Sequence, residues 1–185
     1  GGGGGGAEEI LKKGIKANPA DPEGYYNLGN LYMHKKQYAK AIPEYQKAIT
    51  LSPGISKYYR ALGDAYLAQN KIPEAVGAYA TALSKDPGDA LAAERLGDIY
   101  ASQGNYQKAT DYYKQALSYN RNNENLKHKY ANALAKLQKP SIVQPTQPTQ
   151  QVAVEPKEKA ETITQQAITR DKDLTQTTPQ TTPAN

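Results

Sequence analysis

Between residues 7 and 139, apolar and small side chains return every three or four positions with Lys, Glu, Asn and Gln between them, the spacing of amphipathic helices. A longer period lies over the short one. Tyr25-x-x-Leu28-Gly29-x-x-Tyr32 comes back 34 residues later as Tyr59-x-x-Leu62-Gly63-x-x-Tyr66, and after 34 more as Ala93-x-x-Leu96-Gly97-x-x-Tyr100. The second half of each unit keeps step. Ala41, Tyr45, Ala48 and Pro53 are followed by Ala75, Tyr79, Ala82 and Pro87, then by Ala109, Tyr113 and Ala116, with no gap. Each unit predicts two helices joined by a short turn.

The residue types at these positions have a physical reading. Gly29, Gly63 and Gly97 fall mid-helix, where Gly costs about 1 kcal/mol relative to Ala. That cost is explained if a partner helix lies so close that a Cβ would clash. Ala41, Ala75 and Ala109 then face the contact, and Tyr45, Tyr79 and Tyr113 fill the space beside it. Pro53 and Pro87 end the second helix of their units.

This pattern resembles the tetratricopeptide repeat family, and the likeness covers roughly residues 7–139. Two positions depart from it: Ala93 replaces the aromatic that opens the third unit, and Arg121 stands where Pro is expected. The resemblance implies an all-α fold, an α-solenoid of antiparallel helix pairs, followed by a low-complexity tail. In outline, residues 1–6 are a glycine linker or unassigned stretch. Residues 7–21 are a half repeat, 22–55, 56–89 and 90–123 are full repeats, and 124–139 form a terminal helix. The terminal helix carries Leu126, Tyr130, Leu134 and Leu137 on one stripe. It reads either as a solvating cap or as half of a hybrid repeat completed by a second copy, a head-to-tail contact that without closure gives a filament.

The resemblance also implies a concave surface lined by the first helix of each unit, where a protein or peptide ligand is held. On that helix Asn30, Asp64, Asp98 and Asn132 recur in register, a ladder suited to the backbone of an extended peptide or simply a row of solvated polar residues. Arg60, Arg95 and Lys129 lie on nearby turns and can receive carboxylates; Arg60 and Arg95 are also spaced to pair with Asp64 and Asp98. Tyr26, one turn before Asn30, is the preferred aromatic contact. Family members that grip acidic chaperone tails use a Lys, Asn and Arg clamp. Asn30 and Arg95 match it, but Tyr26, Ala61 and Leu91 stand at its other places, which argues against that role.

Composition narrows the rest. All fifteen aromatics are Tyr. Those at 32, 45, 66, 79, 100 and 113 belong to the repeat pattern; Tyr26, Tyr38, Tyr58, Tyr106, Tyr112 and Tyr119 are less committed. The net charge is +5, and residues 140–185 contribute −1 of it (four basic, five acidic), leaving +6 elsewhere. No basic run with interleaved aromatics accompanies that bias, so nucleic acid is not an expected partner. The absence of Cys excludes disulfides and thiolate chemistry. His34 and His128 lie in different repeats without a neighbouring nucleophile, and Glu44, Glu74 and Asp111 read as solvated carboxylates. The chain is thus expected to have no catalytic residues, metal site or cofactor. No apolar run reaches the ~18 residues of a membrane span.

The opening Gly1–Gly6 lacks the strand and Lys-Ser/Thr of a phosphate loop and reads as a linker, an appended piece or a stretch of unstated side chains. The chain does not begin with Met, consistent with a processed or truncated start. Residues 140–185 hold ten Thr, eight Gln and six Pro, too little apolar surface to order themselves, apart from a weakly amphipathic stretch from Lys157 to Leu174. Such a tail suits a flexible extension or an O-glycosylated stalk, and Val143, Val152 and Val154 are its anchors for a neighbour's groove. The compartment stays open between a bacterial-type cytoplasm and an envelope or extracellular setting, the tail leaning to the latter.

Overall fold

The computed structural model describes residues 3–138, with side chains from Gly6 onward; the readings of the 140–185 tail lie outside the described residues. Among the described residues the secondary structure is helical throughout. The helices are α1 (Gly3–Ala17), α2 (Pro22–His34), α3 (Tyr38–Leu51), α4 (Ser56–Ala68), α5 (Ile72–Lys85), α6 (Ala90–Ser102), α7 (Tyr106–Tyr119) and α8 (Glu124–Gln138). The chain is all-α, of the solenoid type built from antiparallel helix pairs. It divides into two compact units, one ending at Pro87 and one beginning at Gly88.

The turn between first and second helices is the same in all three pairs. Lys36, Asn70 and Gly104 take left-handed backbone conformations, with φ of 62°, 59° and 79°. Their amides donate to Met33, Leu67 and Ala101, and the next amides reach back to Tyr32, Tyr66 and Tyr100. That is a Schellman closure, which satisfies the last carbonyls of the first helix. Helix starts are capped by polar side chains: Asp21 accepts from Glu23 N, Asp89 from Ala92 N, Asn105 from Lys108 N and Asn123 from Leu126 N.

In the first unit, α2 packs on α3 and α4 on α5 through one recurring contact. A Cβ added at Gly29 would lie 2.6 Å from Tyr45 Cε1, and one at Gly63 would lie 2.7 Å from Tyr79 Cε1. The second-helix ring therefore lies directly over the glycine, closer than the sequence reading, which set it beside an alanine contact. Leu28, Tyr32, Ala41, Tyr45, Ala61 and Ala65 form a continuous core, with Leu11 and Ile15 of α1 packed against it. Helix α1 is also held by Glu8, which accepts from the Tyr32 hydroxyl at 2.7 Å and pairs with Lys35 at 3.5 Å and Lys12 at 3.1 Å. These contacts, led by the Tyr32 bond, pull the Glu8 pKa down to about 2.

Helix α1 begins at Gly3, so part of the stretch read as a glycine linker or left unassigned, Gly3 to Gly6, is helical.

The second unit repeats the same contact. A Cβ at Gly97 would sit 2.5 Å from Tyr113 Cε1. Leu96, Tyr100, Ala109, Tyr113 and Ala116 are buried between α6 and α7, while α8 buries only Leu126 and Ala133.

Candidate functional site

In the first unit, Tyr26 lies half-buried on α2 inside a cluster of rings, 6.0 Å from the Tyr45 centroid and 5.2 Å from that of Tyr58. Lys57 places its ammonium 4.8 Å from the Tyr26 ring and 3.1 Å from a Glu23 carboxylate oxygen. The Tyr58 hydroxyl donates to the same carboxylate, and this bond, more than Lys57, holds the Glu23 pKa below the usual range against the opposing effect of burial. Tyr58, which the sequence leaves uncommitted, is buried, and burial together with Glu23 pushes its phenol well above the ordinary value.

Asn30, one turn beyond Tyr26, is exposed, and its Oδ1 accepts from the Tyr45 hydroxyl at 2.6 Å. Asp64 on α4 accepts from Tyr79 at 2.5 Å. Asn30 and Asp64 thus receive the tip of the ring that covers the neighbouring glycine, a structural use absent from the sequence reading. Arg60 is half-buried on α4.

In the second unit, Asp98 takes the corresponding bond from Tyr113, at 2.7 Å. Lys129 of α8 reaches across to α6 and donates to Glu94 at 2.7 Å and Asp98 at 3.1 Å. Burial works against its charge, but the two carboxylates outweigh that effect and raise its pKa. Asp98 and Lys129, placed in separate sets by sequence, therefore form one network. Arg95 is half-buried on α6, and Asn132 is exposed on α8.

Asn132 lines a cavity of about 200 Å³ together with Ala101, Tyr106, Tyr113, Lys129, Ala133 and Lys136. Lys136 holds its ammonium 5.4 Å from the Tyr106 ring.

Glu23, Lys57, Tyr58, Glu94, Tyr106 and Lys136 were not singled out as site residues. Two signals were available: Glu23 and Lys57 are oppositely charged residues one 34-residue period apart, and three of the four ladder residues, Asn30, Asp64 and Asp98, stand 15 residues before a tyrosine. Among the described residues no three His, Asp or Glu side chains converge as a metal site. No described helix is long and apolar enough to cross a membrane.

Two sequence models of the tetratricopeptide repeat match the chain, over residues 22–54 and 60–125. No match was found among the curated proteins. Among solved structures the chain is similar to YrrB, described as a TPR protein with an unusual peptide-binding site, at 23% identity. That match has a TM-score of 0.64 and covers 71% of this chain and 68% of that one. Two crystal structures of MamA are also similar. One is 25% identical with a TM-score of 0.57, covering 72% of this chain and 88% of that one. The other is 20% identical with a TM-score of 0.62, covering 97% and 87%.

Proposed function

Because the chain belongs to the tetratricopeptide repeat family, we propose that it is a non-catalytic scaffold that holds an extended or helical segment of another polypeptide against its first helices. The family fold points to protein–protein interaction in general; the residues named here make the reading specific. The observation that carries it is the arrangement on α2, where a half-buried ring and an exposed amide, Tyr26 and Asn30, lie one turn apart. A ring that adds contact area with few rotors, next to an amide that both donates and accepts, is the combination that grips a peptide backbone. Arg60, Asp64, Arg95, Asp98, Lys129 and Asn132 supply the corresponding polar groups on α4, α6 and α8. The similarity to YrrB, itself a peptide-binding protein by its description, supports the same reading.

The test is fluorescence anisotropy with peptides selected from a random library on the full chain. Tyr26→Ala and Asn30→Ala should each weaken binding at least fivefold, while Lys13→Ala on the exposed side of α1 should not. Equal affinity for all three variants would remove the first helices from the account.

A second reading, a structural subunit that binds copies of itself head to tail, is favoured by exposed apolar side chains on α1 and α8. Ile10 is 69% exposed and Leu137 38%. Sedimentation of the full chain at rising concentration tests it: growth into open-ended polymers supports self-assembly, and a monomer at high concentration removes it. Repeating the run after deletion of residues 140–185 shows whether the tail is the connector.

A further inference from the structure

The polar groups around the second unit's cavity are not used equally. The Tyr113 hydroxyl is taken by Asp98, and Lys129 is held by Glu94 and Asp98. Asn132 and Lys136 differ. Among the described residues Asn132 has no hydrogen-bond partner and Lys136 no carboxylate, its ammonium resting only over the Tyr106 ring. These two side chains are four residues apart on α8, hence on one face and about 5–6 Å apart at Cβ. The cavity beneath them is walled by small residues and rings: Ala101, Ala133, Tyr106 and Tyr113. At about 200 Å³ it is smaller than the ~300–1,000 Å³ of a site for a whole drug-sized molecule, and suits one side chain.

We propose that this cavity is a side-chain subsite for a polypeptide segment carrying Leu, Ile or Val next to a carboxylate. The proposal rests on the peptide-scaffold reading and specifies what that peptide must contain. The aliphatic side chain enters between Ala101, Ala133 and the Tyr106 ring, removing apolar surface from water on both partners. The carboxylate meets Lys136, whose ammonium pairs with no carboxylate among the described residues, and the Asn132 amide pairs with the adjoining peptide unit. Two carboxylates, Glu94 and Asp98, already outweigh the charge of Lys129, so the acid is drawn to the Lys136 side. An acidic partner also fits the charge of the second unit's described residues, where seven Lys and Arg (95, 108, 114, 121, 127, 129, 136) face five Asp and Glu (89, 94, 98, 111, 124), a net of +2.

The experiment pans a random dodecapeptide library on phage against the full chain, Lys136→Glu and Ala101→Leu, with circular dichroism confirming that each variant is folded. The full chain should enrich an aliphatic residue adjacent to Asp or Glu. The best peptide, synthesised with blocked ends, should bind Lys136→Glu about tenfold more weakly, and its Glu→Lys counterpart should recover binding to that variant. Ala101→Leu, which fills the cavity, should lose the preference for the aliphatic residue. If binding needs a free C-terminus, the carboxylate comes from the chain end and the subsite chemistry stands. Peptides enriched with some other motif and indifferent to both substitutions would overturn the subsite while leaving the scaffold reading intact. Enrichment of no peptide by the folded full chain would overturn both.

Discussion

Helices α4 and α8 occupy the same place in the repeat, Gly63 of one matching Ala131 of the other two periods later. They differ in what covers them. Helix α4 buries Ser56, Tyr58, Ala61, Gly63 and Ala65, and the Tyr79 ring lies against its glycine. On α8 the matching Ala131 is exposed. The glycine is therefore dictated by the ring above it and not by the helix in which it sits. Where no ring arrives, the position reverts to a good helix former.

Removing the ring should have the largest effect. Tyr79→Ala should lower stability by about 3–5 kcal/mol, because Tyr79 is fully buried and its loss leaves a cavity over α4. Denaturant unfolding measures this, and a loss under 1 kcal/mol would contradict the packing. Gly63→Ala attacks the other partner. The new Cβ would meet a ring that cannot swing away, since Tyr79 is buried and its hydroxyl is bonded to Asp64. Overpacking costs about 1–3 kcal/mol against about 1 kcal/mol gained in helix propensity, so the expected net loss is up to about 2 kcal/mol.

On α8 the preference should invert. Ala131→Gly should destabilise by about 0.5–1 kcal/mol through propensity alone, with no compensation from packing. Stabilisation by this change, seen as a raised unfolding midpoint, would mean that α8 is covered like α4. The mildest probe concerns α1. The depressed Glu8 pKa contributes stability that is complete above the ordinary value of 4.5 and lost as pH falls toward about 2. The Glu8 carboxyl carbon, followed by NMR, should titrate near the lower value; a midpoint near 4.5 would show that the Tyr32, Lys12 and Lys35 contacts are not formed.

The helix pairs were readable from sequence because the 34-residue period repeats the same residues three times, Gly at a close approach, Ala facing it and Tyr beside it; that the ring lies over the glycine is what the structure adds. The tetratricopeptide resemblance added the solenoid class, and the family matches agree with it. The site was less readable. Asn30, Asp64 and Asp98 were recognisable as a polar row, but their bonds to Tyr45, Tyr79 and Tyr113 depend on where each ring tip lands across the helix pair, which periodicity does not state. Lys129 joins Asp98 and Glu94 from 31 and 35 residues away, a pairing fixed by how α8 lies on its neighbours. Lys136 gave no signal at all, since one lysine on a polar helix is unremarkable until the cavity beside it is seen.

Whether a peptide is held on the first helices can be read residue by residue with NMR. Isotope-labelled full chain would be titrated with a library-selected peptide and the shift changes assigned to residues. The largest changes are expected on first helices, at Tyr26 and Asn30 within the first unit or at Asn132 and Lys136 within the second. Changes confined to the second helices α3, α5 and α7 would contradict that placement.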